Sequence, residues 1–316
     1  MPRVPRAPWR RPGWSEAVSA WIEAQIGRLG CRLTGPLEPV PGSAVSSILR
    51  ARTDAGDLYF KQSLRLPALS DEPTLIVALG ARYRGRVPAA VGVDRRRCWM
   101  LLEDFGRPVG TAASPEVWRD VFSALARLQV DAADHVEELA ASGCRKRDLG
   151  RWTDRIEPTL EDAASLSALD AGERRRLRRL APRLEDISGE LQRYAVPPSL
   201  VHGDLHLANV ALYRGEYLFF DWADACVSHP FLDVAYVFAE NAKHEAQARD
   251  AYVAHWTRYE PIERLSRMWT LAEPLSALHQ AITYRETARY LEGPSRDRFL
   301  GGVTYFLRQL LGRRGC

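Results

Sequence analysis

The segment from residue 199 to 222 constrains the fold of this chain more than any other. It opens with an apolar run that predicts a short strand, Ser199-Leu200-Val201. The polar loop that follows, His-Gly-Asp-Leu-His-Leu-Ala-Asn, places Asp204 five residues before Asn209. A second apolar run further along ends in Asp221. Three oxygen-bearing side chains thus lie at the ends of short strands.

A turn between these runs predicts that they pair. Arg214-Gly215-Glu216 is typical of a turn, so residues 209–213 and 217–221 are expected to form a hairpin. Pairing that is symmetric about the glycine would set Asn209 directly opposite Asp221, with their Cβ atoms roughly 5 Å apart. An amide oxygen and a carboxylate would then converge on one point.

This pair of oxygen donors suits Mg²⁺, which takes oxygen ligands, keeps several waters and is commonly shared with substrate phosphates. Asp204 would lie beside the metal without having to bind it. A carboxylate in that position can accept a proton from an incoming hydroxyl and orient it. Phosphoryl transfer depends mainly on positioning and charge neutralisation, so these residues and a cation on the phosphates would form a nearly complete site.

The first third of the chain predicts a small lobe rich in β-structure. Two alternating runs, Ser46–Arg52 and Asp57–Ser63, flank a turn and predict a hairpin. Lys61 lies late in its second strand. A helix is expected from Glu72 to Leu79, with Pro73 in its tolerant first turn. An apolar strand from Cys98 to Leu102 then runs into a connector that includes Asp104.

The rest of the chain has mainly helical patterns. Ser114 before Pro115 predicts one helix start. Asp170 and Glu173 form a capping-box pattern for another helix, whose apolar stripe contains Leu177, Leu180, Leu184, Ile187 and Leu191. The arginines at 174–179 lie off that stripe and favour a solvated face over a phosphate or nucleic-acid patch. Beyond Ala235 the pattern is helical again, with Trp256, Trp269 and Leu278 as expected core residues.

Composition excludes several classes of protein. The 316 residues are 46% hydrophobic and 27% charged, which indicates a globular chain with a sizeable core. With 44 basic against 40 acidic residues, a dedicated nucleic-acid binder is not expected. Five scattered cysteines indicate neither a zinc site nor a disulfide framework and favour a reducing cytoplasm. The sequence lacks a signal-peptide pattern and a membrane-length apolar run, so no membrane partner is expected.

Three motifs together resemble the signature of the aminoglycoside phosphotransferase and choline kinase family. They are the loop from His202 to Asn209, the triplet Phe220-Asp221-Trp222, and the run Ser228-His229-Pro230-Phe231-Leu232-Asp233. The resemblance extends over roughly residues 45–235. It implies an α+β, bilobal protein-kinase-like fold, with a small antiparallel-sheet lobe at residues 1–104 and a mainly helical lobe at 105–316.

The resemblance also implies roles for the motif residues. Asp204 would be the catalytic base, and Asn209 and Asp221 would hold magnesium. Asp233 would brace the catalytic loop from a helix start, and His202 would be structural. Leu207-Ala208 replaces the Pro-Gly often seen in the family's loop, a change that removes no ligand.

For the small lobe, the resemblance implies a site for ATP. Lys61 would bind the α- and β-phosphates and pair with Glu72, and the backbone from Leu102 to Asp104 would receive the adenine. The loop around Ser43 would cover the phosphates, although it contains a single glycine. Because the chain has only three lysines, among 44 basic residues, a lysine at position 61 supports this interpretation independently.

The function that follows is transfer of the γ-phosphate of ATP to a hydroxyl of a small molecule. A nucleotide-binding regulatory pseudokinase is the alternative, although no key residue is lost. A kinase of proteins is less favoured because the stretch after Asp221 leaves little room for a peptide-docking segment.

The sequence leaves the acceptor, the nucleotide and the oligomeric state open. The acceptor could resemble an aminoglycoside, choline or homoserine, with Asp224, Glu240 and Glu273 as candidate contacts for an amine. ATP is not distinguished from GTP, nor a monomer from an oligomer. We expect His206 and His229 to be structural, and Cys226 to be an inert thiol without a base or cation nearby.

Overall fold

The computed structural model describes residues 7–110, 113–240 and 244–312. Asn241, Lys243 and Cys316 lie outside the described residues. A five-stranded antiparallel sheet occupies the N-terminal part, and a mainly helical body follows it. This arrangement matches the expected α+β class. The sheet's last strand ends at Glu103, whereas the division of the chain into lobes at residue 104 stays a prediction.

The N-terminal sheet has the strand order β1-β2-β3-β5-β4. Its strands are β1 (Glu38–Val40), β2 (Ser46–Thr53), β3 (Gly56–Ser63), β4 (Ala90–Asp94) and β5 (Trp99–Glu103). The predicted hairpin is present as β2 and β3, and Lys61 pairs with Ile48 across it. The predicted strand at 98–102 begins one residue later, because Cys98 has a positive φ of 56° and belongs to the preceding turn.

Two helices cover the sheet: α1 (Trp14–Arg28) and α2 (Glu72–Arg82). The first was not predicted from the sequence. Its buried residues Val18, Ile22 and Ile26 form one core with residues of β3 and β5. The second begins at the predicted residue, and its apolar face, Leu75, Ile76 and Leu79, is buried. With that face buried, Glu72 at the start of the helix faces β3.

The remaining helices form the larger body. They are α3 (Pro115–Ala132), α4 (Val136–Ala141), α5 (Leu149–Trp152), α6 (Ile156–Leu160), α7 (Ala171–Leu191), α8 (Ala235–Glu240), α9 (Glu245–Val253), α10 (Ile262–Ala288) and α11 (Gly293–Leu311). The predicted capping box is present at the start of α7. Trp256, Trp269 and Leu278 are fully buried, as predicted. None of the helices in the described part of the chain is long and apolar enough to cross a membrane.

Two small sheets lie within this body. One has the order β6-β10-β7 and contains β6 (Arg145–Lys146), β7 (Ser199–Val201) and β10 (Cys226–Ser228). The other is a hairpin of β8 (Val210–Tyr213) and β9 (Glu216–Phe219). Short 3₁₀ turns at Leu207–Asn209 and Trp222–Asp224 connect these strands, and a third, Pro230–Val234, leads from β10 into α8.

The register of the β8–β9 hairpin corrects one prediction. Tyr213 pairs with Glu216, so the turn has two residues, Arg214 and Gly215, with φ of 52° and 84°. Positive φ at both central residues is the geometry that best fits the twist of a tight hairpin. Asn209 therefore lies opposite Phe220, whose N–H donates to the Asn209 carbonyl over 3.0 Å. The predicted pairing of Asn209 with Asp221 was wrong by one residue.

Candidate active site

The loop after β7 is held by a buried carboxylate. Asp233 accepts hydrogen bonds from the backbone N–H groups of His202 (2.8 Å) and Gly203 (2.9 Å). Gln129 of α3 donates to the same carboxylate over 2.8 Å. Burial raises the pKa of Asp233 to about 7, against the effect of the two backbone donors. Asp233 lies just before α8, so the expected brace at a helix start is present.

His202 is structural, as expected. It is fully buried, its ring lies 4.6 Å from that of Trp222, and Nε2 lies 2.9 Å from the Phe220 carbonyl. Burial lowers the pKa of His202 to about 4, so the ring is neutral at physiological pH. A neutral imidazole whose Nε2–H donates to a carbonyl joins the loop to the end of the hairpin.

The backbone conformation and the close neighbours of residue 203 admit only glycine. Its φ is +85°, and a Cβ at this position would lie 2.2 Å from the carbonyl oxygen of Asp224. Gln280 of α10 donates from Nε2 to the Gly203 carbonyl over 2.7 Å. Asp233 and α10 therefore both hold the loop in place. Residue 203 has no room for a side chain.

Asp204 is the carboxylate that this loop presents. Its Oδ1 accepts a hydrogen bond from the hydroxyl of Tyr236 over 2.7 Å. Its Oδ2 lies 3.6 Å from Nε2 of His206. Burial opposes protonation of His206, but the hydrogen bond and the charge of Asp204 outweigh it and raise the pKa of that histidine. We expected His206 to be structural, yet it lies beside Asp204.

Asn209 and Asp221 supply the two oxygen donors predicted for a metal. Asn209 donates from Nδ2 to the Asp204 carbonyl over 2.9 Å, which leaves Oδ1 as the ligand atom of the amide. Asp221 has a φ of 67°, so it leaves the strand geometry directly after the hairpin. After this turn in the backbone, the Asp221 side chain is 41% exposed despite the shifted register of the hairpin.

Lys61 connects the two halves of the chain. Its Nζ lies 2.7 Å from Glu72 Oε1 and 2.6 Å from Asp221 Oδ1. Burial opposes ionisation of Lys61, but these two carboxylates outweigh it and raise its pKa. The partial burial of Asp221 acts to raise its pKa, and the charge of the neighbouring Lys61 outweighs that effect and lowers it. Glu72 is held in place by Ser63 and by the backbone N–H of Trp222.

One cleft of about 210 Å³ collects most of the predicted site residues. Ser43, Lys61, Asp204, Asn209 and Asp221 all line it. Glu72 does not line it, because it is 2% exposed and lies behind Lys61.

The predicted adenine-binding residues are not part of this cleft. Leu102 is buried and pairs with Tyr59 within the sheet. Asp104 is exposed on the connector, where its Oδ1 accepts a hydrogen bond from the Gly106 N–H over 2.9 Å. It lines a separate recess of about 420 Å³ together with Phe105 and residues of the β8–β9 hairpin. The structure thus does not bring the connector and the carboxylates into one cavity.

The donor set at the cleft fits Mg²⁺. Within residues 7–110, 113–240 and 244–312, no group of three or more His, Cys, Asp or Glu side chains is arranged to hold a metal. One carboxylate, Asp221, and one amide oxygen, from Asn209, are instead available. Magnesium commonly binds through one or two carboxylates and completes its shell with waters and substrate phosphates. Waters and a phosphate ligand would therefore complete such a site.

Helices α10 and α11 supply a wall of the cleft that the sequence analysis did not assign. Its lining residues are Thr283, Tyr284, Thr287, Arg298 and Phe299. The signal that was present is a pair of hydroxyl-bearing residues, Thr283 and Thr287, four positions apart in α10. Because they lie on one face of α10, that spacing indicates a polar surface.

Of the three acidic residues proposed as amine contacts, Asp224 alone lines the cleft. Burial, and then the charges of Asp204 and Asp221, raise the pKa of Asp224 to about 8. Its carboxyl is therefore largely protonated at neutral pH. Burial raises the pKa of Glu240, which lies at the end of α8 within electrostatic range of His206.

Two further predictions concern Cys226 and His229. The expectation that Cys226 has no base or cation nearby was wrong, because its Sγ lies 4.0 Å from Nε2 of His279 and within electrostatic range of Arg147. Burial nevertheless raises the pKa of Cys226 to about 11, so it remains a thiol. His229 is structural: its Nδ1 accepts a hydrogen bond from the Phe231 N–H, and burial lowers its pKa to about 3.

Comparison with protein families gives a match over most of the chain. The model described as "Phosphotransferase enzyme family" matches residues 49–269, well over half of the sequence. The matched region includes every residue of the cleft that we expected to be catalytic or to bind metal. No curated protein sequence matches the chain.

Several solved structures share the fold. An aminoglycoside 2′-phosphotransferase in complex with GDP is 15% identical, with a TM-score of 0.67 over 94% of this chain and 97% of that one. A macrolide 2′-phosphotransferase from Brachybacterium faecium is 18% identical, with a TM-score of 0.60 over 90% and 97%. The choline kinase of Streptococcus pneumoniae is 13% identical, with a TM-score of 0.60 over 94% and 100%. These likenesses confirm the predicted kinase-like fold.

Proposed function

The chain belongs to the phosphotransferase enzyme family, and from this premise we propose that it transfers the γ-phosphate of ATP to a hydroxyl group of a small molecule. The observation that carries the proposal is the single cleft that contains Lys61, Asp204, Asn209 and Asp221. A cation, a carboxylate free to accept a proton and two oxygen ligands are the groups that phosphoryl transfer requires.

Asp204 is the proposed catalytic base. In the reaction the acceptor oxygen forms a bond to the γ-phosphorus, and the bond from that phosphorus to the bridging β–γ oxygen breaks. ADP leaves with the electron pair of the broken bond, and the hydroxyl proton passes to the Asp204 carboxylate. Asp204 is suited to this role because its side chain is 21% exposed at the cleft while its backbone is fixed by the brace from Asp233.

Asn209 Oδ1 and the Asp221 carboxylate are the proposed magnesium ligands. When bound, Mg²⁺ would neutralise charge on the β- and γ-phosphates. Before that, Lys61 holds Asp221 Oδ1 by a hydrogen bond of 2.6 Å, which keeps the carboxylate directed into the cleft.

Lys61, anchored by Glu72, is the proposed ligand of the α- and β-phosphates. The loop around Ser43 forms another part of the same cleft and is the proposed cover over the phosphates. Adenine would bind at the backbone from Leu102 to Asp104, at the end of β5. That last assignment rests on the family resemblance.

The acceptor would bind against the wall formed by α10 and α11. Thr283, Tyr284, Thr287 and Arg298 belong to this wall, and Asp224 lines the same cleft as Asp204. Enzymes of this fold include an aminoglycoside, a macrolide and a choline phosphotransferase. Aminoglycosides, macrolides and choline are therefore the first acceptors to compare, together with the homoserine-like alcohols that the family resemblance suggests.

The proposal is tested by measuring ADP release from Mg-ATP and from Mg-GTP with a panel of aminoglycosides, macrolides and amino alcohols. We expect acceptor-dependent release that falls by at least 10³-fold in Asp204→Asn, while nucleotide affinity stays within threefold of wild type. Asp250→Asn, on the exposed face of α9, is the matched control and should keep full activity.

Turnover in Asp204→Asn close to that of wild type would overturn the assignment of the base. Mg-dependent nucleotide binding without transfer to any acceptor would favour the regulatory pseudokinase. Failure to bind nucleotide at all would contradict both functions.

A further inference from the structure

The two oxygens of the Asp204 carboxylate have different surroundings. Oδ1 accepts a 2.7 Å hydrogen bond from the Tyr236 hydroxyl. Oδ2 has longer contacts, 3.5 Å to Asn209 Nδ2 and 3.6 Å to His206 Nε2. Oδ1 is thus committed to a protein donor, and Oδ2 lies on the side of the proposed metal ligand.

The Tyr236 ring is rigidly placed. Its side chain is 8% exposed. It packs edge-to-face against Phe306 of α11, at a centroid distance of 5.5 Å and 90°, and against His206 at 5.2 Å. A phenol fixed on two sides gives a hydrogen bond of defined direction. Burial and the charge of Asp204 raise the pKa of Tyr236 well above its ordinary value, so the hydroxyl remains a donor.

Tyr236 is the second residue of α8, and Asp233 lies three residues before it, in the 3₁₀ turn that leads into the helix. That spacing places them one helical turn from each other. Asp233 holds the backbone of the catalytic loop, and Tyr236 holds the side chain that the loop presents. One short segment therefore determines both the position of the loop and the orientation of its carboxylate.

From these contacts we infer that Tyr236 is a positioning residue: its phenol fixes Oδ1 of Asp204, so that Oδ2 accepts the proton of the acceptor hydroxyl. The inference rests on the proposed role of Asp204. Without the phenol the carboxylate could rotate about its Cβ–Cγ bond. A displacement of a catalytic group by about 1 Å can cost around 10² in rate.

The test is Tyr236→Phe, which keeps the ring and removes the hydroxyl. We expect kcat for acceptor phosphorylation to fall by about 10- to 100-fold, while KM for nucleotide and for acceptor changes less than threefold. Binding should persist because the phenol contacts the base and not the phosphates. A purely structural role would not produce this separation of kcat from KM.

Tyr83→Phe is a matched control. Tyr83 is 7% exposed, and its hydroxyl donates to the Asp131 carboxylate over 2.9 Å, away from the cleft. The two variants lose the same kind of hydrogen bond, so their melting temperatures should fall by similar amounts. Only Tyr236→Phe should lose turnover.

The inference is overturned if Tyr236→Phe retains kcat within twofold of wild type. It is also overturned if the loss appears in KM alone, or if Tyr83→Phe loses as much activity. Asp204→Asn in the same assay separates this outcome from failure of the proposed function. An inactive Asp204→Asn beside a fully active Tyr236→Phe would reject only the positioning role, whereas an active Asp204→Asn would reject the base itself.

Discussion

Lys61 Nζ lies 2.6 Å from Asp221 Oδ1, and this contact joins residues that are 160 positions apart in the chain. Lys61 belongs to the N-terminal sheet, and Asp221 follows the β8–β9 hairpin of the helical body. The same ammonium also pairs with Glu72 at 2.7 Å. One cation therefore links the sheet, α2 and the proposed metal ligand, and it makes the geometry of the cleft depend on all three.

Removing this cation should destabilise the protein as well as inactivate it. In Lys61→Met the Glu72 carboxylate, which is 2% exposed, would stay buried without its counter-charge. Breaking a buried ion pair in this way costs about 3–5 kcal/mol in the free energy of unfolding. Loss of the proposed phosphate-binding donor should also lower kcat by about 10²-fold or more. Chemical denaturation and the ADP-release assay measure the two effects.

The double variant Lys61→Met/Glu72→Gln separates these effects. Glutamine carries no charge, and its Oε1 can still accept the hydrogen bond from the Trp222 N–H while its amide N–H donates to the Ser63 hydroxyl oxygen. We expect it to restore at least half of the lost stability without restoring activity. Equal stability of the single and double variants would show that the charge of Glu72 does not cause the loss.

Gly203→Ala should disrupt the loop that presents Asp204, the proposed base. The added Cβ would lie 2.2 Å from the backbone oxygen of Asp224, and the positive φ adds strain of about 1–2 kcal/mol. Because a backbone atom cannot move aside cheaply, we expect a loss of about 2–4 kcal/mol in stability and at least a tenfold loss in kcat.

Gly215→Ala is the control for that prediction. Its φ is +84°, nearly the same, but no atom lies within 4 Å of the added Cβ. It should therefore lose only the backbone-strain part of the stability and should retain kcat. Similar losses of turnover in both variants would mean that steric contact with Asp224 is not what excludes a side chain at residue 203.

The sequence predicted those parts of the site that depend on local spacing. Asp204 and Asn209 lie on one continuous loop, so their proximity follows from five residues of chain. The family prediction, which rested on that loop and the motifs after it, is confirmed, and with it the enzyme class. The hairpin itself was also predictable, because Arg214 and Gly215 are bounded by apolar runs.

Features that depend on tertiary packing were missed. The one-residue error at Asn209 arose because the predicted turn had three residues, whereas the two-residue turn is the one that fits strand twist. Tyr236 looked like an ordinary helical residue, since nothing in its neighbours shows which side chain its hydroxyl will meet. The wall formed by α10 and α11 likewise depends on how distant helices pack.

Asp221→Asn should weaken the response to magnesium. An amide is a poorer ligand for a hard divalent cation than a carboxylate. In a titration of nucleotide binding with Mg²⁺, we expect the half-saturating metal concentration to rise at least tenfold. Stability should change little, because Lys61 still pairs with Glu72.

Asp224→Asn is the appropriate comparison for Asp221→Asn. Asp224 lines the same cleft, but its pKa of about 8 means that its carboxyl is already largely neutral at pH 7. Its replacement should leave the magnesium titration within threefold of wild type. If Asp224→Asn weakened the magnesium response more than Asp221→Asn did, the proposed ligand would be misassigned.

His229→Asn should change how stability depends on pH. Burial lowers the pKa of His229 to about 3, against about 6.5 in the unfolded chain. Between those values the unfolded state binds a proton that the folded state does not, so this histidine destabilises the wild type as the pH falls below 6.5. From pH 7 to pH 5 the loss amounts to about 2 kcal/mol. Asparagine removes the titration and can still accept the hydrogen bond from the Phe231 N–H.

The difference in unfolding free energy between wild type and His229→Asn isolates the titration of His229 from groups that act in the opposite direction. Asp233 has a pKa of about 7 in the folded state, against about 3.9 in the unfolded chain. Between these values the folded state binds a proton that the unfolded state does not, so Asp233 stabilises the fold as the pH falls. That contribution is common to both proteins and cancels. Curves of unfolding free energy against pH, measured by denaturation at intervals from pH 7 to pH 5, should therefore not be parallel. As the pH falls, the variant should gain about 2 kcal/mol in stability relative to wild type. Parallel curves would mean that the folded state protonates His229 as readily as the unfolded chain does, in conflict with a buried, neutral imidazole.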